Sequence, residues 1–141
     1  MIRFYLIALL IFVPFATAVF AAGSPAKLPP IKAVKNAKPK KDVFKVASLK
    51  KPLMIKSEKE AAKHFTKDGL AKLKKQVDFG KQIVLVFAWK GSGQDRLTYD
   101  VLESFPEQVA FKYKRGRTRD LRPHVYVYVL RSNVKWSIRY H

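Results

Sequence analysis

Four arginines fall within eight residues, at Arg115, Arg117, Arg119 and Arg122, in a stretch that separates two apolar segments. A guanidinium is planar and permanently charged, and its fork of donors suits two-point contact with a carboxylate or a phosphate. Gly116 allows a tight turn that brings neighbouring arginines together. We therefore predict a partner- or anion-binding site at these four arginines. The alternative is a solvated turn whose arginines bond only loop carbonyls.

Residues suited to metal binding or nucleophilic catalysis are scattered. His64, His124 and His141 are far apart in the chain, which has no cysteine, whereas metal sites show closely spaced ligand pairs. Ser92 lies between two glycines without the G-x-S-x-G frame of a nucleophile elbow. The same turn matches neither glycine-rich phosphate motif and is interpreted as a hairpin loop. We predict a protein that is not an enzyme and has no metal and no cofactor.

The acidic residues near the arginines are interpreted as charge partners within a sheet. Asp100 and Glu103 lie on a predicted strand that is followed, after a turn at Pro106-Glu107, by a second predicted strand. Opposite residues of such a hairpin interact in pairs. We expect Asp100 to face Lys114. Glu103 then lies near Lys112, so the arginines keep only one acid inside their own loop.

Aromatic residues share the predicted strands with cationic ones, at Tyr99, Tyr113, Tyr126, Tyr128, Trp136 and Tyr140. Basic grooves lined by aromatic rings bind single-stranded nucleic acid. Rings on strands also pack in the core or at sheet edges, and we favour that interpretation because an exported protein seldom meets nucleic acid.

The net charge indicates the class of partner, and the N-terminal residues indicate the cellular compartment. Of 141 residues, 29 are Lys or Arg and 10 are Asp or Glu, a net charge of +19, which favours anionic partners. A short basic start is followed by an uncharged apolar run and small residues, a pattern typical of a secretory signal peptide. We predict a signal peptide over residues 1–21 and an exported bacterial protein that is periplasmic, in the cell envelope or secreted. An uncleaved membrane anchor is the alternative.

The next segment differs from the rest of the chain. Residues 22–51 contain nine lysines and four prolines with few large apolar residues, and such a composition buries too little apolar surface to offset its ordering entropy. We predict a disordered basic tail, either an electrostatic tether to an anionic surface such as a membrane or a plain spacer. Residues 52–141 are predicted to form a single domain.

Within that domain, apolar segments predict strands at Leu53–Ile55, Ile83–Trp89, Leu97–Leu102, Val109–Tyr113, His124–Leu130 and Val134–Tyr140. The segment from Ile83 is apolar throughout, as in a strand covered on both faces. Ser57 and Glu60 form a capping box that predicts a helix from Glu58, with a break at Asp68-Gly69. Short links at 105–108 and 131–133 predict hairpins. We expect an α+β fold: an antiparallel sheet of about five strands with one or two helices packed on one face.

The run Val77-Asp78-Phe79-Gly80-Lys81-Gln82 and the apolar strand after it resemble the V-D-F-x-K-x opening of the protease-complex-stabilising domain family. The strand and helix start at residues 55–60 match what such domains place before it. The resemblance covers about residues 52–140. It implies a small, exported, non-catalytic domain that binds and stabilises an envelope protein, typically a protease.

The leading hypothesis is therefore an exported binding module that contacts an envelope protein, or an anionic component of the envelope, through its sheet or its basic loop. The alternative is an electrostatic binder of an anionic polymer, such as nucleic acid, acidic polysaccharide or lipid, through the basic tail and the arginines.

Overall fold

A computed structural model describes residues 27–140. The predicted signal peptide lies outside the described residues. The elements are β1 (Ile31–Ala33), α1 (Val43–Val46), β2 (Leu53–Ile55), α2 (Glu58–His64), α3 (Lys67–Lys74), β3 (Gln82–Gly91), β4 (Arg96–Leu102), β5 (Gln108–Lys114), β6 (Arg122–Arg131) and β7 (Lys135–Tyr140). Between residues 27 and 140, no helix is long and apolar enough to span a membrane.

The strands form two sheets. The first has the order β1-β6-β3-β2 with every pair antiparallel, and the second has the order β4-β5-β7 with β4 and β5 antiparallel and β5 and β7 parallel. The predicted α+β class is confirmed. Residues 27–140 form seven strands in two sheets, however, where about five strands in one sheet were expected.

Strand β3 is the centre of a three-layer arrangement. Val84 and Val86 belong to the apolar core on the helical side, whereas Leu85 and Phe87 belong to the core shared with the second sheet. Successive side chains of a strand point to opposite faces. A strand covered on both faces must therefore be apolar at every position. The prediction that Ile83–Trp89 is such a strand is confirmed.

The segment predicted to be a disordered tail is part of the domain from residue 31 onward. Strand β1 pairs with β6, and Val43 of α1 is 1% exposed in the same core as Val34 and Ala47. The prediction for residues 22–51 is thus wrong over 31–51, and the domain does not begin at residue 52. Average composition misled because a few apolar residues at the right spacing are enough to attach a lysine-rich segment to a core that the rest of the chain supplies.

Helices α2 and α3 differ from the prediction in one capping contact and in the position of the break between them. The Ser57 hydroxyl accepts the Glu60 N–H at 3.2 Å, while the Glu60 carboxylate accepts the N–H of Lys56, at 2.8 Å, instead of that of Ser57. The chain breaks at Phe65, before the Thr66 cap of α3, and Gly69 lies inside that helix. A Cβ at Gly69 would overlap the backbone oxygen of Lys38, so this glycine permits a close approach and does not end a helix.

The predicted hairpin between β4 and β5 is present, with a different register. Asp100 lies opposite Ala110, and its ion-pair partner is Lys112, two residues further along β5, where Lys114 had been expected. The second predicted hairpin is wrong, because β7 leaves β6 and joins β5 in the other sheet. The physical reason is that β1 and β3 already occupy both edges of β6, so that no edge remains for β7.

Candidate anion-binding site

The arginine loop, residues 115–122, comprises the connection from β5 to β6 and Arg122, the first residue of β6, and it lies against the turn between β3 and β4. Side chains of that turn hold its backbone: Asp95 Oδ1 accepts the Gly116 N–H at 2.8 Å, and Gln94 Oε1 accepts the Arg117 N–H at 3.3 Å. The hydroxyls of Ser92 and Thr118 lie 2.6 Å apart. The two loops are therefore one structural unit, although about twenty residues separate them in the chain.

Asp95 is the buried centre of this unit. Its side chain is 1% exposed, and Oδ2 accepts the indole N–H of Trp89 at 2.9 Å while Oδ1 accepts the Gly116 N–H. Burial alone would raise the pKa of Asp95, but the hydrogen bonds from Gly116 and Trp89, the nearby Tyr113 hydroxyl and the His124 charge outweigh it and lower the pKa below its ordinary value. Asp95 is thus an ionised structural group whose two oxygens are committed to Trp89 and Gly116, although it also lines the cleft of the arginine loop.

Asp120 fastens the far side of the loop. Its Oδ1 accepts the Gly93 N–H at 3.0 Å, and its Oδ2 lies 2.5 Å from Arg122 Nε. Hydrogen bonds from Thr118 and Gly93, followed by the Arg122 charge, lower the pKa of Asp120 to about 2. Because the Gly93 N–H is already used, the glycine turn does not offer it to an anion, which supports the interpretation of this turn as a hairpin loop.

The structure separates the four predicted arginines into two groups. Arg115, Arg117 and Arg119 line one cleft of about 790 Å³, are exposed, and make no side-chain hydrogen bond or ion pair with any residue from 27 to 140. Arg122 is held by Asp120 and does not line that cleft. Three arginines therefore converge with uncommitted guanidinium groups, and the fourth has a structural partner.

Two further cations reach the same loop from other strands. Lys90, near the end of β3, lines the 790 Å³ cleft, and Arg96, at the start of β4, lines a second cleft of about 300 Å³ with Arg115 and Arg117. Sequence reasoning missed both because neither belongs to the arginine cluster. Their positions could have indicated a role, because Lys90 and Arg96 flank the Gly91-Ser92-Gly93 turn on its two strands.

The loops also bring together a serine, a histidine and an aspartate, without the contacts of a catalytic triad. His124 Nε2 lies 2.8 Å from the main-chain oxygen of Ser92, whose hydroxyl bonds Thr118 instead. Asp95 is committed to Trp89 and Gly116. In the part of the chain that the structure describes, no three His, Cys, Asp or Glu residues are grouped so that they could hold a metal ion.

The strand aromatics mostly pack against one another. Trp89 stacks on His124 and on Tyr126, with ring centroids 4.9 and 5.5 Å apart. Tyr128 is 4% exposed and contacts Phe111 at 5.2 Å between centroids. These contacts agree with the interpretation of the rings as packing groups.

Comparison with protein-family models, curated proteins and solved structures gives no significant match to this chain. The resemblance to the protease-complex-stabilising domains therefore stays a prediction from residues 52–140.

Proposed function

We propose that this protein is an exported, non-enzymatic binding module whose arginine loop contacts an acidic surface of an envelope protein. The observation that carries the proposal is the set of three exposed guanidinium groups, of Arg115, Arg117 and Arg119, that line one cleft without a partner among residues 27–140. A protease-stabilising role is the specific form of this function that the family resemblance implies.

The construction of the loop supports a specific contact. The loop is bonded to the β3–β4 turn, through its backbone to Asp95 and Gln94 and through its Asp120 side chain to Gly93, so less conformational entropy is lost when a partner binds. Guanidinium groups suit planar carboxylates, which they contact through two parallel hydrogen bonds. A fixed loop with free arginines thus favours recognition of acidic side chains over diffuse charge attraction.

Binding to an anionic polymer is the second candidate, and the distribution of lysines favours it. The chain carries a net charge of +19, and α2 and α3 together present exposed lysines at positions 59, 63, 67, 72 and 74. Such a surface attracts polyanions regardless of the arginine loop. This candidate is weaker than the sequence suggested. It relied partly on a free basic tail, and residues 31–51 instead belong to the folded domain.

The two candidates are distinguished by removing equal charge at two places. R115Q/R117Q/R119Q removes the cleft arginines, and K59Q/K63Q/K67Q removes three exposed lysines of the helical layer. If the proposal holds, only the arginine variant loses its captured partner from a bacterial envelope extract. Its affinity should fall at least about tenfold, since hydrogen bonds to charged groups contribute about 1.5–3 kcal/mol each.

A heparin column and a thermal melt complete the design. If diffuse charge dominates, both variants should leave heparin at similarly reduced salt and both should lose partner capture, which would contradict the proposal. Melting temperatures should stay close to that of the parent, because exposed charges contribute within about 0.5 kcal/mol to folding. A large drop for the arginine variant alone would show that these arginines hold the loop together.

Export, the other half of the proposal, has its own measurement. N-terminal mass spectrometry of the protein from whole cells should find a chain that begins near Val19 or Ala22. An intact Met1 on membrane-bound protein would contradict cleavage and favour the anchor.

A further inference from the structure

A third cleft, the α1 cleft, lies on the helical face of the four-stranded sheet, the face away from the second sheet. It is bounded by α1, the end of β3 and the start of β6. Its volume is about 720 Å³, within the roughly 300–1,000 Å³ range of small-molecule sites. Phe44 of α1, Ala88 of β3 and Pro123 of β6 supply apolar side chains, whereas Trp89 only borders the cleft, because its ring packs on the other face of β3 with the second sheet. The composition differs from that of the arginine cleft, whose lining is largely charged and polar.

Three lysines complete the lining of this cleft. Lys41, Lys45 and Lys90 are exposed, and none makes a side-chain hydrogen bond or an ion pair within residues 27–140. Among residues 27–140, no acidic residue lines the cleft, and Asp42, the nearest acid in sequence, is exposed outside it. Lysine stems can lie along apolar surface while their ammonium groups stay in water. The cleft therefore pairs an apolar interior with an uncompensated positive rim.

We propose that this cleft binds an amphiphilic anion, a single alkyl chain that ends in a carboxylate. The chain would gain free energy by leaving water for the apolar surface of Phe44, Ala88 and Pro123 and the lysine stems. The carboxylate would meet the lysine rim, where opposite charge and a neighbouring apolar surface favour it over a neutral head group. This site shares only Lys90 with the arginine cleft and does not depend on the function proposed for that cleft.

Trp89 makes the proposal measurable. Trp89 borders the cleft at β3, its ring lies directly behind that strand, where Asp95 fixes the indole N–H, and Trp136 is the other tryptophan of the chain. The full chain carrying W136F therefore reports on the cleft through the fluorescence of Trp89. A dodecanoate brominated near its methyl end, used below its micelle concentration, should quench that fluorescence saturably.

Matched ligands and variants separate the two halves of the site. Brominated dodecanol has the same chain without the charge, and K41Q/K45Q/K90Q removes the rim while K59Q/K63Q/K67Q removes equal charge elsewhere. We expect the ligand concentration at half-saturation to be about tenfold higher for dodecanol with the parent and for dodecanoate with the rim variant. A tenfold change corresponds to a loss of about 1.4 kcal/mol of binding free energy. The control lysine variant and R115Q/R117Q/R119Q should quench like the parent, so failure of this site and failure of the arginine site are separate results.

Three outcomes would overturn the proposal. Quenching that does not saturate would show that no site exists. Equal half-saturation for dodecanoate, dodecanol and the rim variant would show that the lysines recognise nothing. Quenching by brominated phosphatidylglycerol vesicles but not by monomeric dodecanoate would show that this face meets a membrane surface instead of a single-chain ligand.

Discussion

Replacing Asp95 by Asn tests whether the buried carboxylate holds the arginine loop. The side chain is 1% exposed and accepts two hydrogen bonds, from Gly116 to Oδ1 at 2.8 Å and from Trp89 to Oδ2 at 2.9 Å. Asparagine has the same shape but only one acceptor atom. One of these two donors would therefore face an amide NH₂ group in the interior.

The expected cost follows from those contacts. A buried donor left without a partner costs about 1–3 kcal/mol, and a hydrogen bond to a neutral acceptor is weaker by about 1 kcal/mol than one to a carboxylate. The smaller desolvation of the neutral side chain offsets part of this loss. We expect D95N to lower the free energy of unfolding at pH 7 by about 2–3 kcal/mol, measured by urea denaturation with tryptophan fluorescence.

Asp100 provides the matched control. It belongs to β4, carries the same carboxylate and pairs with Lys112, but its side chain is 48% exposed. D100N should change the free energy of unfolding by less than about 1 kcal/mol, as for other exposed ion pairs. A D95N protein within about 0.5 kcal/mol of its parent, the range of ordinary surface substitutions, would refute the assignment of Asp95 as the loop's main fastening.

The pH dependence gives an independent check. The pKa of Asp95 lies below the ordinary value of 3.8, so the native protein stabilises the ionised form. That stabilisation is fully present above the unfolded-state pKa and is lost as pH falls through the lower, folded-state pKa. The difference in unfolding free energy between the parent and D95N should therefore be constant above about pH 5 and shrink in more acidic solution. A difference that grows as pH falls would contradict the reasoning.

Two further predictions concern the segment first interpreted as a tail. Gly69→Ala should destabilise the protein by about 1–3 kcal/mol although alanine favours helices, because its Cβ would overlap the Lys38 backbone; the exposed Ala71→Gly, measured by the same urea denaturation, should cost only about 1 kcal/mol. A chain that starts at Lys50 should lose the sharp thermal transition of a chain that starts at Lys27, since β1 and α1 supply core residues. Equal melting temperatures for the two chains, or a stabilised Gly69→Ala protein, would show that this segment only rests on the surface.

Several features of the fold could be predicted from the sequence because they depend on neighbouring residues. The Ser57 cap and the start of α2 follow from a hydrogen bond that spans three residues. The unbroken apolar run of β3 required cover on both faces whatever the covering elements were. The basic loop between β5 and β6 could be located in the same way, since its composition contrasts with that of the strands on either side.

Tertiary structure decided what depends on residues distant in the chain. No local pattern separated Arg122, which Asp120 holds, from the three cleft arginines, whose side chains have no bonding partner within residues 27–140. Composition could not show that a lysine-rich segment reaches the core, because a single residue such as Val43 needs a surface made by other strands. The split into two sheets likewise depended on the assembled fold. Strand β7 joined the second sheet because β1 and β3 already flanked β6, and no single segment shows which strands lie beside it.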